Sequence, residues 1–500
     1  MSELPHNWVK TPLTNIASVE MGQSPDSRFY NLNGDGLPFF QGKAEFQTVY
    51  PEIRKWCSEP TKVVERGDIL LSIRAPVGPT NIAPEKSCIG RGLAGIRSET
   101  GISQAYLYYF FKNIEPWLSE QGTGSTFAAV SGQFIREINC PVAPTSEQAR
   151  IVAKLEELLS ELDAGVAELK AAQIKLTQYR QSLLKAAVEG SLTADWRTKH
   201  KPAETGAQLL ERILQERRAR WEAKQLAKFA DQGKAPPKDW QKKYPEPLEP
   251  DTTDLPELPH GWVWASVDQL SESVRNGLSK TPNTDQRGFP IFKINAVRPM
   301  IVNFLAIKHI EIDKSEASDC WVEVGDVLAT RYNGSVDLLG VFAMVKDVPV
   351  RTLYPDKIIR MKPVTGAGLG KWMEVCGNVG LSRKHLVARV KTTAGQTGIS
   401  GEDLKKTPIP LPSVEEQKYA LAILEDRLQS ILELELPLEM AFKQSTAQRQ
   451  NILRAAFSGQ LVLQNPDDEP ASILLERIRA ERAAKLELKK PSSRKAKVSV

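Results

Sequence analysis

Cysteine is scarce in this chain of 500 residues, and the five present are isolated: Cys57, Cys88, Cys140, Cys320 and Cys376. Their spacing excludes a paired-cysteine zinc site and a disulfide framework. No apolar run approaches the roughly 18 residues that a membrane-spanning helix needs. The N-terminus also lacks the basic and apolar segments of an export signal. These absences predict a protein of the reducing cytoplasm that makes no contact with a membrane.

Motifs that would indicate catalysis are absent too. The chain has no Walker A sequence, no Gly-x-Ser-x-Gly, and no Asn-Pro-Pro-Tyr that would stack on a flipped adenine. The glycine-rich segment 366–370 is predicted to lack the preceding strand and the following helix that phosphate binding requires. The sequence therefore indicates a binding protein without a catalytic or metal site. An enzyme with a hidden carboxylate site is an alternative, which metal-dependent activity of the pure chain would reveal.

What the sequence does contain is an internal duplication. Four segments recur in the same order, roughly 250–270 residues apart: 4–9 and 258–263, 64–70 and 322–328, 130–132 and 399–401, 180–187 and 449–456. The two copies differ most between residues 20–60 and 275–320. The repeated segments form a frame that the two copies share, and the regions between those segments differ. This pattern predicts two related modules that bind different ligands.

A long amphipathic helix is predicted in each copy. In the first, leucines recur every seven residues, which is typical of a coiled-coil seam: Leu155, Leu162, Leu169, Leu176 and Leu183. The second copy repeats the seam with Leu424, Ile431, Leu438 and Ile452, and Pro437 is predicted to kink or interrupt that helix. The seams could pair within the chain or join two chains. Their matched lengths favour an antiparallel pair within the chain, and about 40 residues would span roughly 60 Å.

These features predict an α+β protein with two β-rich domains in pseudo-twofold tandem, separated by two long antiparallel coiled-coil helices. The predicted boundaries are a first globular domain at 1–145, a first helical region at 146–228, a linker at 229–257, a second globular domain at 258–413, a second helix at 414–464 and a charged, basic tail at 465–500. The net charge of +5 is mild and does not by itself imply nucleic acid.

Loops that combine glycine with basic or amide side chains are candidates for DNA contact. Arginine can form two hydrogen bonds with guanine, and asparagine or glutamine can do the same with adenine. Glycine allows the backbone to approach phosphate. The candidates in the first copy are Lys43, Arg74, Arg91, Thr123 and Ser125, and those in the second are Lys293, Asn295, Arg331, Asn333, Arg383 and Gln396. The Arg74 and Arg331 loops are favoured, because each follows the equivalent Gly-Asp strand.

Together these motifs resemble the specificity subunit of type I restriction–modification systems, over nearly the whole chain. The resemblance implies two target-recognition domains that each bind one half of a split, asymmetric site in double-stranded DNA. It also implies that the long helices set the gap and dock two methyltransferase subunits, and that a restriction and translocase subunit joins for cleavage. S-adenosylmethionine, ATP and Mg²⁺ would then be bound by the partner subunits, and this chain would hold no cofactor.

Two other interpretations remain open at this stage. The chain could be the specificity subunit of another multisubunit restriction–modification system, in which the partners would differ. It could also be a coiled-coil scaffold that never contacts DNA, which the mild net charge permits. The duplicated strand with its basic loops argues against the scaffold.

Overall fold

The computed structural model describes residues 4–122, 129–283, 285–364, 367–393 and 396–488. Helices and sheets are mixed along the chain, which confirms the α+β class. The chain divides into two compact units. The first consists of residues Met1–Ala171 and Leu438–Val500, and the second of residues Ala172–Pro437.

The described residues before the first long helix, 4–122 and 129–144, form three sheets and two α-helices. A four-stranded antiparallel sheet has the order Ala17–Met21, Leu93–Ser98, Ile69–Ser72 and Thr80–Ile82. A five-stranded sheet has the order Tyr30–Asn31, Trp56–Cys57, Leu37–Phe40, Ser87–Ile89 and Val63–Val64, and Val9–Pro12 pairs with Asn139–Val142. Helix Gln104–Glu120 begins at the N-cap Ser103 and buries Tyr106, Tyr108, Phe110 and Phe111 in the core. Helix Gly132–Glu137 follows.

The second unit repeats the four-stranded sheet but not the five-stranded one. Its four-stranded sheet has the order Ser271–Asn276, Ile358–Pro363, Val327–Thr330 and Phe342–Met344. Separate strand pairs join Val263–Ser266 with Pro408–Leu411, Phe289–Phe292 with Ile307–Ile310, Val297–Arg298 with Ile301–Val302, and Lys391–Thr393 with Gln396–Gly398. The shorter helices are Ala194–Lys199, Val267–Leu270, Lys314–Ala317, Ala367–Asn378, Gly380–Ala388 and Gly401–Lys405. The regions 20–60 and 275–320, where the sequence predicts divergence, accordingly contain three strands of the five-stranded sheet in the first unit and the strand pairs of Phe289–Phe292 and Val297–Arg298 in the second.

A Gly-Asp turn starts the equivalent strand in both units. Gly67 and Gly325 have φ angles of 90° and 91°, a conformation that favours glycine. Asp68 and Asp326 follow, and each carboxylate accepts the backbone N–H three residues earlier, at 2.8 and 2.9 Å. All four residues of each following strand are buried. A buried strand therefore follows the Gly-Asp turn in both units.

The two long helices are Thr145–Val188 and Val414–Phe457, each of 44 residues. In the first unit they run antiparallel. Arg449 forms an ion pair with Asp163, and Gln464, just beyond the second helix, donates to Glu147 near the start of the first at 2.7 Å. Within the second unit Arg180 pairs with Glu435 at 3.0 Å. The seam leucines and isoleucines are buried or half-buried.

Pro437 does not interrupt the second long helix, so the prediction of an interruption is wrong. The helix continues through Pro437 to Phe457. Proline removes one backbone N–H and frees the carbonyl four residues earlier, which belongs to Glu433. Glu433 is exposed, so water can hydrate that carbonyl and the helix can tolerate the loss.

The expectation that segment 366–370 has no strand before it and no helix after it is also wrong, because strand Ile358–Pro363 precedes it and helix Ala367–Asn378 begins within it. The structure gives Gly370 a packing role. A Cβ atom there would lie 3.0 Å from the carbonyl oxygen of Gly325 and 3.2 Å from the sulfur of Met344. Glycine therefore allows the helix to lie close to the Gly-Asp turn.

A further helix packs on each globular core. Helix Gly206–Asp231 buries Leu209 and Ile213 in the second unit. Helix Ala471–Leu488 buries Leu474 and Ile478 in the core formed by the N-terminal domain. In the described part of the chain, no helix has the length and apolar character needed to cross a membrane. All five cysteines are free thiols.

Candidate functional site

The loop that carries Arg74 is closed by the residue that ends the buried strand. The hydroxyl of Ser72 donates to the carbonyls of Arg74 and Pro76 at 3.2 and 2.9 Å, and Gly78 N–H donates to the Ser72 carbonyl at 2.9 Å. Arg74 is exposed, and its guanidinium has no hydrogen-bond or ion-pair partner among the described residues. The loop is therefore fixed by its backbone while the cationic side chain is available to a ligand.

The structure brings three of the predicted loops of the first copy together. Ile73 N–H donates to the Gly92 carbonyl at 2.9 Å, which joins the Arg74 loop to the Arg91 loop. A Cβ atom on Gly92 would lie 2.3 Å from the Gln41 carbonyl oxygen, so glycine is required where the Arg91 loop meets the loop of Lys43. Lys43 and Arg91 are exposed, as is Arg74. The adjoining loops thus carry three exposed cations. The predicted residues Thr123 and Ser125 lie outside the described residues.

The equivalent loop of the second copy is closed in the same way but is longer. Thr330 hydroxyl donates to the Leu338 carbonyl, and Gly340 N–H donates to the Thr330 carbonyl at 2.9 Å. Arg383 donates to the carbonyls of Leu339 and Asp337, the latter at 2.7 Å. Burial lowers the pKa of Arg383. Through these hydrogen bonds Arg383 braces the loop that follows Arg331.

Strand Gln396–Gly398 lies beside this loop. Ile399 N–H donates to the Arg331 carbonyl at 2.9 Å, and Asn333 N–H donates to the Thr397 carbonyl at 3.4 Å. Arg331 and Asn333 are half-buried. Three of the predicted segments, those of Arg331, Arg383 and Gln396, are therefore brought together.

Lys293 and Asn295 lie in a different part of the second unit. They flank the first residue of the short helix Ile294–Ala296, and both are exposed. No hydrogen bond joins residues 293–295 to residues 331–335 in the part of the chain that the structure describes. The structure does not link these two predicted residues to the other candidates of the second copy.

A buried glutamate in each unit ties the globular domain to a long helix, and the sequence did not indicate it. Glu147 accepts the indole N–H of Trp8, and Glu416 accepts that of Trp262, both at 2.9 Å. Glu416 also accepts the Thr193 hydroxyl at 2.6 Å and pairs with Arg197 at 2.8 Å. Both glutamates are almost fully buried. Trp8 and Trp262 occupy equivalent places in the duplication, as do Glu147 and Glu416, and that recurrence is the signal that could have found the pair.

The described residues were also compared with the side-chain groupings that bind metal ions. Over residues 4–122, 129–283, 285–364, 367–393 and 396–488, no three histidine, cysteine or acidic side chains form a group that could hold an ion. What the arrangement offers instead is two sets of braced loops with different side chains at equivalent strand ends. Such loops suit contacts with phosphates and base edges.

Comparison with known proteins agrees with this chemistry. Residues 5–171 match the family model of the type I restriction modification DNA specificity domain. The chain is 27% identical over 506 residues to the type I restriction enzyme EcoKI specificity subunit of Escherichia coli K12, covering 96% of this chain and 97% of that relative. It is 23% identical over 504 residues to the StySPI specificity subunit of Salmonella potsdam, covering 96% of each. The crystal structure of the HsdS subunit from Thermoanaerobacter tengcongensis is 42% identical over 33% of this chain and 40% of that one, with a TM-score of 0.31.

The matching specificity domain and these relatives indicate a DNA-specificity subunit, the non-catalytic component of its complex. The chain is similar to the specificity subunits of type I restriction–modification systems over nearly its whole length.

Proposed function

We propose that the two globular domains each recognise one half of a bipartite, asymmetric site in double-stranded DNA. The observation that carries this proposal is the equivalence of the two loop sets, which are closed by Ser72 and Thr330 on the same strand of the frame but carry different side chains. The two domains would approach DNA in the same manner because their strands are equivalent, and their different loops would select different bases. The two half-sites would then differ in sequence, which makes the whole DNA site asymmetric.

The long helices act as the spacer between the two half-sites in this proposal, as an antiparallel coiled coil within one chain. Two methyltransferase subunits would dock on the complex, one for each half-site, and a restriction and translocase subunit would join for cleavage. S-adenosylmethionine, ATP and Mg²⁺ would be held by those partners. The complex would act in the cytoplasm, where host DNA must be methylated.

The decisive experiment is to express the chain with the methyltransferase encoded beside it and to map methylated adenines in host DNA by single-molecule sequencing. A split motif with a fixed gap, present only when both genes are expressed, is the expected result. Methylation that does not change when this chain is deleted would refute the proposal. Failure of the purified complex to bind any sequence selectively would support a scaffold instead.

Replacing Arg74 with alanine should weaken binding to the cognate site by about 1–3 kcal/mol, with a smaller loss on random DNA. The reason is that Arg74 is exposed and unpaired in the described part of the chain, on a loop fixed by its backbone. Fluorescence anisotropy of the methyltransferase complex with both duplexes measures the two losses.

Arg66→Ala is the matched control for this substitution. Arg66 is an exposed arginine in the turn at the other end of the same strand, so its removal should leave both affinities unchanged. Equal losses on cognate and random DNA for Arg74→Ala would assign Arg74 to phosphate contact rather than to base recognition.

A further inference from the structure

The hydrogen bonds fix which residues of the two recognition loops are equivalent. In the first unit Val130 N–H donates to the Ile73 carbonyl, and Arg74 forms a β-bridge with Ala129. Within the second unit Ile399 N–H donates to the Arg331 carbonyl, and Tyr332 forms the bridge with Gly398. The counterpart of Arg74 is therefore Tyr332, and Arg331 takes the place of Ile73.

Tyr332 is held by its neighbours on two sides. The guanidinium carbon of Arg331 lies 4.9 Å from the ring centroid, over one face. A Cβ atom on Gly398 would lie 2.4 and 2.6 Å from Cδ1 and Cε1, so only glycine lets the ring lie against that strand. The Nε atom of Arg331 is buried and has no partner among the described residues. Its guanidinium packs on the ring and positions it.

This environment restricts how the ring could contact a base. With one face under Arg331 and one side against Gly398, the ring is poorly placed for a base to stack on it. Tyr332 is half-buried and presents the remaining edge. An apolar edge in the major groove contacts the 5-methyl group of thymine, whereas a free arginine such as Arg74 suits guanine.

We propose that Tyr332 is a specificity-determining residue of the second domain and that it selects thymine through the thymine methyl group. Arg331 is its positioning residue. The first domain uses an exposed cation at the same position of the frame, so the two half-sites are recognised by different chemistry. This inference rests on the proposed function, because it presupposes that the second domain binds DNA bases.

The test uses the methyltransferase complex and the split motif found by methylation mapping. Each thymine of the second half-site is replaced in turn by deoxyuracil, which removes only the methyl group. One position should lose about fourfold to tenfold in affinity. The Tyr332→Ala complex should show a similar loss on the thymine duplex and no additional loss on the deoxyuracil duplex, because both changes remove the same contact. Tyr332→Phe should retain the affinity.

The Arg74→Ala complex is the control, since it should discriminate less between bases in the first half-site and keep the full deoxyuracil effect in the second. Wild-type complex that binds every deoxyuracil duplex as tightly as the thymine duplex would overturn the inference, even if Tyr332→Ala fails to fold. Additive losses from Tyr332→Ala and deoxyuracil would also overturn it. Both outcomes are compatible with a split motif that depends on this chain, so the proposed function is tested separately.

Discussion

Replacing Glu416 with alanine should destabilise the second unit by about 3–5 kcal/mol, because it leaves a partly buried charge without its partner. Glu416 is 3% exposed and holds Arg197, whose side chain is 19% exposed, at 2.8 Å. The substitution also leaves the Trp262 indole N–H and the Thr193 hydroxyl without the acceptor that they share. Urea-dependent hydrogen exchange of peptides covering residues 258–266 and 414–424 measures the free energy of unfolding of this unit.

The first unit supplies the matched control for Glu416→Ala. Glu147 accepts the equivalent tryptophan N–H and the Gln464 amide but forms no ion pair with a described residue, so Glu147→Ala should cost only about 1–3 kcal/mol. Adding Arg197→Ala to Glu416→Ala should recover part of the loss, since the unpaired charge is then gone. Equal costs at the two glutamates, or no recovery in the double variant, would contradict the role assigned to the ion pair.

The variant Glu374→Gln should gain stability over wild type as the pH rises. The variant minus wild-type free energy of unfolding of the second unit should increase by on the order of 3 kcal/mol from pH 5 to pH 8. Glu374 is 1% exposed and accepts the Met344 N–H at 2.8 Å through Oε1, while Oε2 is buried without a partner among the described residues. Burial raises the pKa of this carboxyl group to about 7 from its usual 4.5. Glutamine imitates the neutral acid and does not titrate.

The direction follows from proton linkage. Between pH 4.5 and pH 7 the folded state retains a proton that the unfolded state releases. The stability that the raised pKa contributes is therefore full below pH 4.5 and is lost as the pH rises through 7. Thermal unfolding of wild type and variant at pH 5 and pH 8 gives the difference. Glu425→Gln, at an exposed carboxylate that pairs with Lys371, is the control and should show little pH dependence. A wild-type minus variant difference that does not change with pH would contradict the assignment.

Features that depend on local or repeating patterns were predictable from the sequence. The heptad spacing predicted both long helices, and the Gly-Asp turn predicted the strand after it. Pro437 misled because the local rule for proline does not register that Pro437 and Glu433 both lie on an exposed part of the helix. The Trp–Glu contacts join residues 139 and 154 positions apart, so no local pattern could reveal them.

The candidate site was predictable as a set of loops but not as a set of roles. Glycine beside basic residues marked the loops of Lys43, Arg74 and Arg91, which the structure brings together. The role of Arg383 in bracing a loop depends on backbone carbonyls that no sequence pattern places near it. The equivalence of Arg74 and Tyr332 follows from the register of hydrogen bonds, and it agrees with the offset between segments 64–70 and 322–328.

The packing of helix Ala471–Leu488 on the N-terminal domain has a consequence for synthesis on the ribosome. The second unit is one continuous segment, Ala172–Pro437, and can be completed while translation proceeds. The first unit needs both ends of the chain, because Leu474 and Ile478 fill a core built around Trp8 and Leu13. The domain that is translated first is therefore the last to be completed, and its apolar surface must be shielded until the C-terminal helix has left the ribosome.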